Sequence, residues 1–168
     1  VDEIAQAAGI AKGTVYLYFR SKHEIYWAMI EKVLAVLHEQ VREELSRPGP
    51  IEARVRRFVA TKMGYFERHQ DLLRLYYNEV NSMAARPARS REQFDRHYLE
   101  QVGLLQSALD EAISRGVLRK MRSDMAALSI FEVTRGAVLH RTRGWSRAPL
   151  QDDIEFTFTF IWKGLSGS

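Results

Sequence analysis

The sequence predicts an all-α protein, a small amino-terminal helix-turn-helix followed by a larger helical domain. Three observations predict it. From residue 22 almost to the end of the chain, apolar residues recur every three or four positions, the period of an amphipathic helix rather than the alternation of a strand. The clustered breakers Pro48-Gly49-Pro50, Gly116 and Gly144 to Pro149 fall between those stretches. Residues 4 to 22, IAQAAGIAKGTVYLYFRSK, wrap two short helical segments around Gly9. No strand pattern and no internal repeat is found.

In the first segment Ile4, Ala5 and Ala8 give a small apolar face. Gly9 supplies the positive-φ position that ends a helix cheaply, and Ile10 and Val15 close a miniature core. Ala11 to Phe19 form the second short helix. Ser21 and Glu24 then make an S-x-x-E capping box for a helix over 22–45, whose stripe is Tyr26, Met29, Ile30, Val33, Leu34, Leu37, Val41 and Leu45. Arg47 to Pro50 stop it. A helix over 51–69 turns Ile51, Val55, Phe58, Val59, Met63 and Phe66 inward, and another covers 70–82. Residues 83–90, with Pro87 and two arginines, read as a loop. A long helix over 91–115 points Phe94, Tyr98, Val102, Leu105 and Leu109 inward and ends at Gly116, a good left-handed cap. Ser123 or Asp124 caps a helix to about 143, and after the break at 144–149 a last helix covers 150–165.

The second short helix carries chemistry. Lys12, Gly13 and Thr14 fill its first turn, where unpaired N–H groups favour an anion, so a cation, a bare backbone and a hydroxyl can meet phosphates or base edges. Tyr16 and Tyr18 place phenols beside that turn, and Lys22 follows. Core packing alone asks neither for glycine before threonine nor for lysine after the aromatics. A two-helix unit of this kind presents its second helix to the DNA major groove.

The IAxxAG helix followed by GTxYxYFxxK closely resembles the DNA-binding segment of tetracycline-repressor (TetR) family transcriptional regulators. The resemblance implies that Ala11 to Phe19 is the recognition helix, that Ala11, Lys12, Gly13, Thr14, Tyr16, Tyr18 and Lys22 lie at the DNA, and that Phe19 anchors the helix to its domain. Ala11 departs from a frequent family preference for Ser or Thr. The family also places a helix before the motif, whereas this chain begins with Val1 inside it, so the sequence reads as a trimmed or partly ordered version of a longer one. The domain division expected is 1–22 for the partial DNA-binding domain, packed on the start of the 22–45 connecting helix, and 46–168 for effector binding and dimerisation.

Composition sets the outer bounds. With 46% hydrophobic and 27% charged residues in a 168-residue chain, a folded globular protein is expected rather than disorder. The net charge of +4 suits an anionic partner, but the motif contributes little of it: Lys12, Arg20 and Lys22 oppose Asp2 and Glu3, a net of +1 over residues 1 to 22. Placement therefore matters more than total charge. With no cysteine there is neither a disulfide framework nor a thiolate metal site. No apolar run reaches the roughly 18 residues of a membrane span, and no signal peptide is evident. A soluble, cytoplasmic protein without cofactor or metal is expected.

The last two helices speak to assembly. Ile154, Phe158, Ile161, Trp162 and Leu165 line one face of the final helix, while Phe156 and Phe160 project from another, so one neighbour cannot bury them all. The preceding helix combines Leu128 and Phe131 with small Ala127, Gly136 and Ala137, which permit close approach. Ala127, Phe131, Phe156 and Phe160 are accordingly the candidate homodimer interface, as the family resemblance also implies, and a two-fold dimer suits an operator of two half-sites.

The middle helices hold the candidate effector pocket. Phe66, Leu73, Tyr76, Tyr77, Phe94, Tyr98 and Phe131 supply aromatic and aliphatic surface, with Asn78, Glu79, His97, Arg135 or His140 as polar fixers. Such a set suits an apolar or aromatic ligand with a hydrogen-bonding handle. An enzyme is disfavoured: the sequence has no H-E-x-x-H, G-x-S-x-G, Walker A or G-x-G-x-x-G motif, and no Glu-x-x-His pair of the kind di-iron bundles use. Two readings stand: a ligand-responsive DNA-binding regulator, most simply a repressor released from its operator, and a DNA-binding or interaction protein indifferent to ligands.

Overall fold

The computed structural model describes residues 1–71 and 88–166. Among them lie seven α-helices and no strand: α1 (Asp2–Ala7), α2 (Lys12–Tyr18), α3 (Lys22–Ser46), α4 (Ile51–Arg68), α5 (Ala88–Ser114), α6 (Ser123–Thr142) and α7 (Leu150–Ser166). The all-α class holds. The helix expected over 70–82 falls, beyond Asp71, outside the described residues.

The chain divides into two compact units, Val1–Val36 and Leu37–Ser168, with the division inside α3. In the first, α1 packs against α2. Gly9 sits at φ 66°, the left-handed conformation that lets the chain leave α1 and turn back. Only part of the expected miniature core forms. Ala5 and Val15 are buried, whereas Ile4 and Ile10 are exposed, because the face α1 turns inward is the one carrying Ala5, and Ile4 lies about a quarter-turn away from it. The capping box is modified too. The Glu24 N–H donates to Ser21 Oγ at 3.2 Å as expected, but the Glu24 carboxylate accepts from the N–H of Arg20 at 2.5 Å, one residue before the box would have it.

In the second unit α4 packs against α5, α6 and α7, and α6 also packs on α5 and α7. Phe58, Leu105, Leu109, Ile130 and Phe158 are fully buried, joined from α3 by Leu37 and Val41. All but Ile130 are positions the helical stripes predict; on α6 the sequence reading named Leu128 and Phe131 instead. Two boundaries shift. α5 begins at Ala88, so residues 88–90 are helical rather than loop; Ala and Arg both favour helix, and the arginines give no reason for a break. α6 takes Arg122 as its N-cap with no side-chain capping bond. Asp124 lies inside the first turn, and the Arg122 guanidinium donates to its carboxylate at 2.6 and 3.2 Å.

Ionic ties join the helices of this unit. Arg141 of α6 donates to both Glu67 oxygens at 2.8 and 3.2 Å, to Asp153 at 2.5 Å and to the Ala148 carbonyl at 2.9 Å. One largely buried guanidinium thereby holds α4, α6 and the start of α7. Arg56 pairs with Glu155 and lies over the Phe158 ring, 3.9 Å from its centroid, a second link from α4 to α7.

Candidate functional site

The α2 surface is built from seven residues that the rest of their unit leaves largely uncovered. Ala11 is the N-cap, with extended backbone, and its carbonyl accepts the Thr14 N–H at 2.9 Å. Val15 alone of the helix is buried, and Phe19, at the C-cap, is half-buried. Around Val15 the helix leaves Tyr16, Leu17 and Tyr18 exposed, the last two at 82% and 78%, with Leu17 roughly opposite Val15. At the amino-terminal end, a Cβ added to Gly13 would meet nothing within 4 Å, and its φ is not positive. Neither the fold nor the backbone conformation therefore requires glycine there. Lys12 donates to Asp2 at 3.0 Å, and this exposed contact raises the lysine pKa and lowers that of the carboxyl. Lys22, on the first turn of α3, lies over the Tyr26 ring at 5.5 Å. The seven residues expected at DNA thus lie on α2, at its N-cap, or one turn beyond it. Leu17, the most exposed of the group, went unnoticed in the sequence because a leucine inside an apolar-rich motif reads as core.

In the second unit a polar cluster is enclosed by α4, α5 and α6. Lys62 is 3% exposed; its ammonium donates to Gln101 Oε1 at 3.0 Å and lies over Phe131 and Phe58, 3.4 and 5.4 Å from the ring centroids. Burial pushes the Lys62 pKa well down, opposed by the negative charge of Glu132 and reinforced by Arg135. Tyr98 donates to Glu132 at 3.0 Å and meets Phe131 edge-on at 4.8 Å. Burial and the bond to that carboxylate raise the phenol pKa. Arg135 donates to the other Glu132 oxygen at 2.8 Å. Beside Gln101 on α5, Glu100 faces His38 of α3 at 3.8 Å, and His38 shares a 3.0 Å hydrogen bond with Arg42.

Of the expected pocket residues, Tyr98, Phe131 and Arg135 come together here. Phe66 is half-buried, edge-on to Tyr65 rather than in the cluster. Leu73, Tyr76, Tyr77, Asn78 and Glu79 lie outside the described residues, as do the side chains of Phe94 and His97. His140 instead faces Trp145 at 5.8 Å. Lys62, Gln101 and Glu132 were missed. The signal available was the place of Lys62 within the apolar stripe of α4, between Val59 and Met63.

The expected dimer face separates into two parts. Ala127 and Phe131 are 0% and 6% exposed; they are packed inside the chain and cannot also meet a second copy, which corrects their assignment to the interface. Phe156 and Phe160 are 74% and 63% exposed. With Val133, Gly136, Ala137 and His140 of α6 they border a groove of about 430 Å³.

Among the described residues no group of three or more His, Asp or Glu side chains is placed to hold a metal ion. No described helix is long and apolar enough to cross a membrane.

Comparison with known proteins gives consistent similarities. Residues 1–29 match the model for bacterial regulatory proteins of the tetR family. The HTH-type transcriptional activator FasR of Mycolicibacterium smegmatis is 27% identical, over 99% of this chain and 73% of its own length. Among solved structures, a TetR/AcrR family transcriptional regulator of Thermobifida fusca superposes with a TM-score of 0.78 at 19% identity, covering 97% of this chain and 85% of that one. The regulator FadR of Bacillus subtilis, solved in complex with stearoyl-CoA, superposes with a TM-score of 0.76 at 18% identity, covering 97% and 87%.

Proposed function

We propose that this chain, whose residues 1–29 match the tetR family of bacterial regulatory proteins and whose fold resembles that of a solved TetR/AcrR family regulator, acts as a homodimeric repressor released from its operator by a small apolar effector. The observation that carries the DNA-binding part is the outward face of α2. Tyr16, Leu17 and Tyr18 are exposed together beside Lys12 and Gly13, and water-facing apolar side chains grouped on so small a helix are explained by a partner that covers them. Lys12, Thr14, Tyr16 and Lys22 supply phosphate and sugar contacts, and Gly13 lets the backbone come close to the duplex. The net charge of +1 over residues 1 to 22 is small for tight binding by one copy, so affinity rests on two copies reading two half-sites.

The effector lodges among α4, α5 and α6, where aromatic walls surround a few polar groups. An acyl chain is the first chemistry to try, since FadR was solved with stearoyl-CoA. Release follows from linkage. An effector that binds more tightly to the dimer whose two α2 helices do not match the half-site spacing lowers operator affinity by that difference in binding free energy. α3 carries residues of both units, and its displacement is the proposed link. FasR is an activator, and a transcription reporter fused to the promoter used in the binding experiment reads the sign of regulation.

That experiment is binding to duplexes from the promoter beside the protein's own gene, at two salt concentrations, with and without fatty acyl ligands. Lys12→Ala and Lys22→Ala are each expected to weaken binding across sequences and to reduce the salt slope by about one. Unchanged binding in both variants overturns the assignment of α2. Tighter binding on adding acyl ligand overturns release.

A further inference from the structure

We infer that Lys62 is the headgroup reader of the effector site, an interior amine that takes the carboxylate of an otherwise apolar molecule and so selects acids over neutral compounds of the same length. This deepens the effector reading above and rests on it.

The inference begins with what surrounds the amine. An interior ammonium is costly unless an opposite charge and several acceptors meet it. Lys62 has one neutral acceptor, Gln101 at 3.0 Å, and the faces of Phe131 and Phe58. A ring face offers a cation some stabilisation, but it accepts no proton and neutralises no charge. Glu132, the carboxylate whose field reaches Lys62, is engaged elsewhere, accepting from Tyr98 on one oxygen and from Arg135 on the other. Among the described residues no ion pair reaches the Lys62 ammonium. A methionine would fill the same stem volume between Val59 and Met63 without that cost, so packing does not account for the lysine.

A carboxylate arriving at Nζ completes the site. It supplies the missing charge and accepts the N–H groups that Gln101 does not, while its apolar chain lies against Phe58 and Phe131. An aromatic wall around one buried amine favours an amphiphilic acid over its neutral analogue, because only the acid brings the counter-charge that holds the amine protonated and forms a charge-assisted pair with it, whereas the alcohol leaves the amine neutral. The free amine, biased toward its neutral form by burial, is held protonated by the incoming anion. Binding of the acid is therefore accompanied by proton uptake, in which the proton passes from solvent to Nζ and remains there in the ion pair.

The test compares decanoate with decan-1-ol on the intact protein by isothermal titration calorimetry, repeated in two buffers of different ionisation enthalpy. For the wild type, decanoate is expected to bind roughly tenfold or more tightly than decan-1-ol, the scale of a charge-assisted pair, with net proton uptake for the acid alone. In Lys62→Met the preference and the proton uptake vanish while decan-1-ol still binds. Lys62→Gln, which keeps a polar end group, is expected to lose both as well and serves if the Met variant does not fold. A preference that survives in either folded variant overturns the assignment. Equal binding of acid and alcohol to the wild type overturns it too, but leaves an apolar effector standing. Binding of neither compound overturns the headgroup assignment together with the acyl-effector reading.

Discussion

In the unit Val1–Val36 several of the bulkiest side chains face outward, Tyr16, Leu17 and Tyr18 on α2, while small Ala5 and Val15 make the contact between α1 and α2. In the unit Leu37–Ser168 the arrangement is reversed: Phe58, Phe158, Leu105 and Met63 are fully buried, and the charges that tie the helices together are partly buried with them. Phe156 and Phe160, two of the large apolar side chains that this second unit also leaves exposed, lie side by side on one face of α7. The contrast separates two uses of apolar surface. One unit leaves its large residues where the proposed duplex would cover them, and the other uses them to hold itself together, leaving one face of α6 and α7 open for the proposed second copy.

Breaking that face has the largest expected effect. The double variant Phe156→Lys and Phe160→Lys places two like charges where two copies of α7 would meet, without touching the buried Ile154, Phe158 and Ile161. Sedimentation should give a monomer with unchanged helical content. Operator affinity should fall by about a hundredfold or more, because the second half-site contact is no longer intramolecular. A variant that remains dimeric shows that the copies meet elsewhere.

Next comes the interior of the same unit. Arg141→Met removes the shared partner of Glu67 and Asp153, leaving two partly buried carboxylates facing the place the guanidinium occupied. A loss of about 2 kcal/mol in urea unfolding is expected. The pH dependence fixes the mechanism. Burial of Asp153 opposes ionisation, yet the bonds from Ser146 and Arg141 win and its pKa lies below the ordinary 3.8. Between the depressed value and 3.8 the unfolded chain binds more protons than the folded one. This stabilisation is therefore fully present above 3.8 and is lost as the pH falls through the folded value. In Arg141→Met the acid limb of the stability profile should flatten, and an unchanged limb would refute Arg141 as its source.

How much of this could be read in the sequence follows the same division. The exposed surface of α2, the proposed DNA-contact helix, was legible because its members lie within a dozen residues of one another, so local spacing determines which side chains lie together. The core of the second unit was legible as well, since Val55, Phe58, Val59, Leu105 and Leu109 repeat at helical period. The buried polar cluster proposed as the effector site was legible only in part, through Tyr98, Phe131 and Arg135. Lys62, Gln101 and Glu132 come from three helices, and a lysine in a stripe does not announce whether its end reaches water or, as here, an amide oxygen at 3.0 Å. Ala127 and Phe131 failed as interface residues for a related reason. Periodicity says that a face is apolar but not whether α4 or a second chain covers it.

Gly13→Ala gives the smallest expected change and the sharpest separation of fold from function. A methyl group there meets nothing within 4 Å, and glycine within a helix costs up to roughly 1 kcal/mol relative to alanine. Near the start of α2 the variant should gain about 0.5 kcal/mol in thermal or chemical unfolding. If Gly13 serves the approach of the duplex, the same methyl group stands between backbone and phosphate, and operator affinity should fall roughly tenfold, about 1.4 kcal/mol. A more stable protein that binds its operator worse cannot be explained by damage to the fold, so the opposing signs would identify Gly13 as a residue kept for what lies outside the chain. A variant that binds as well as the wild type would mean that the duplex does not approach α2 at this residue, and the contact would have to be carried by Lys12, Tyr16 and Lys22 instead.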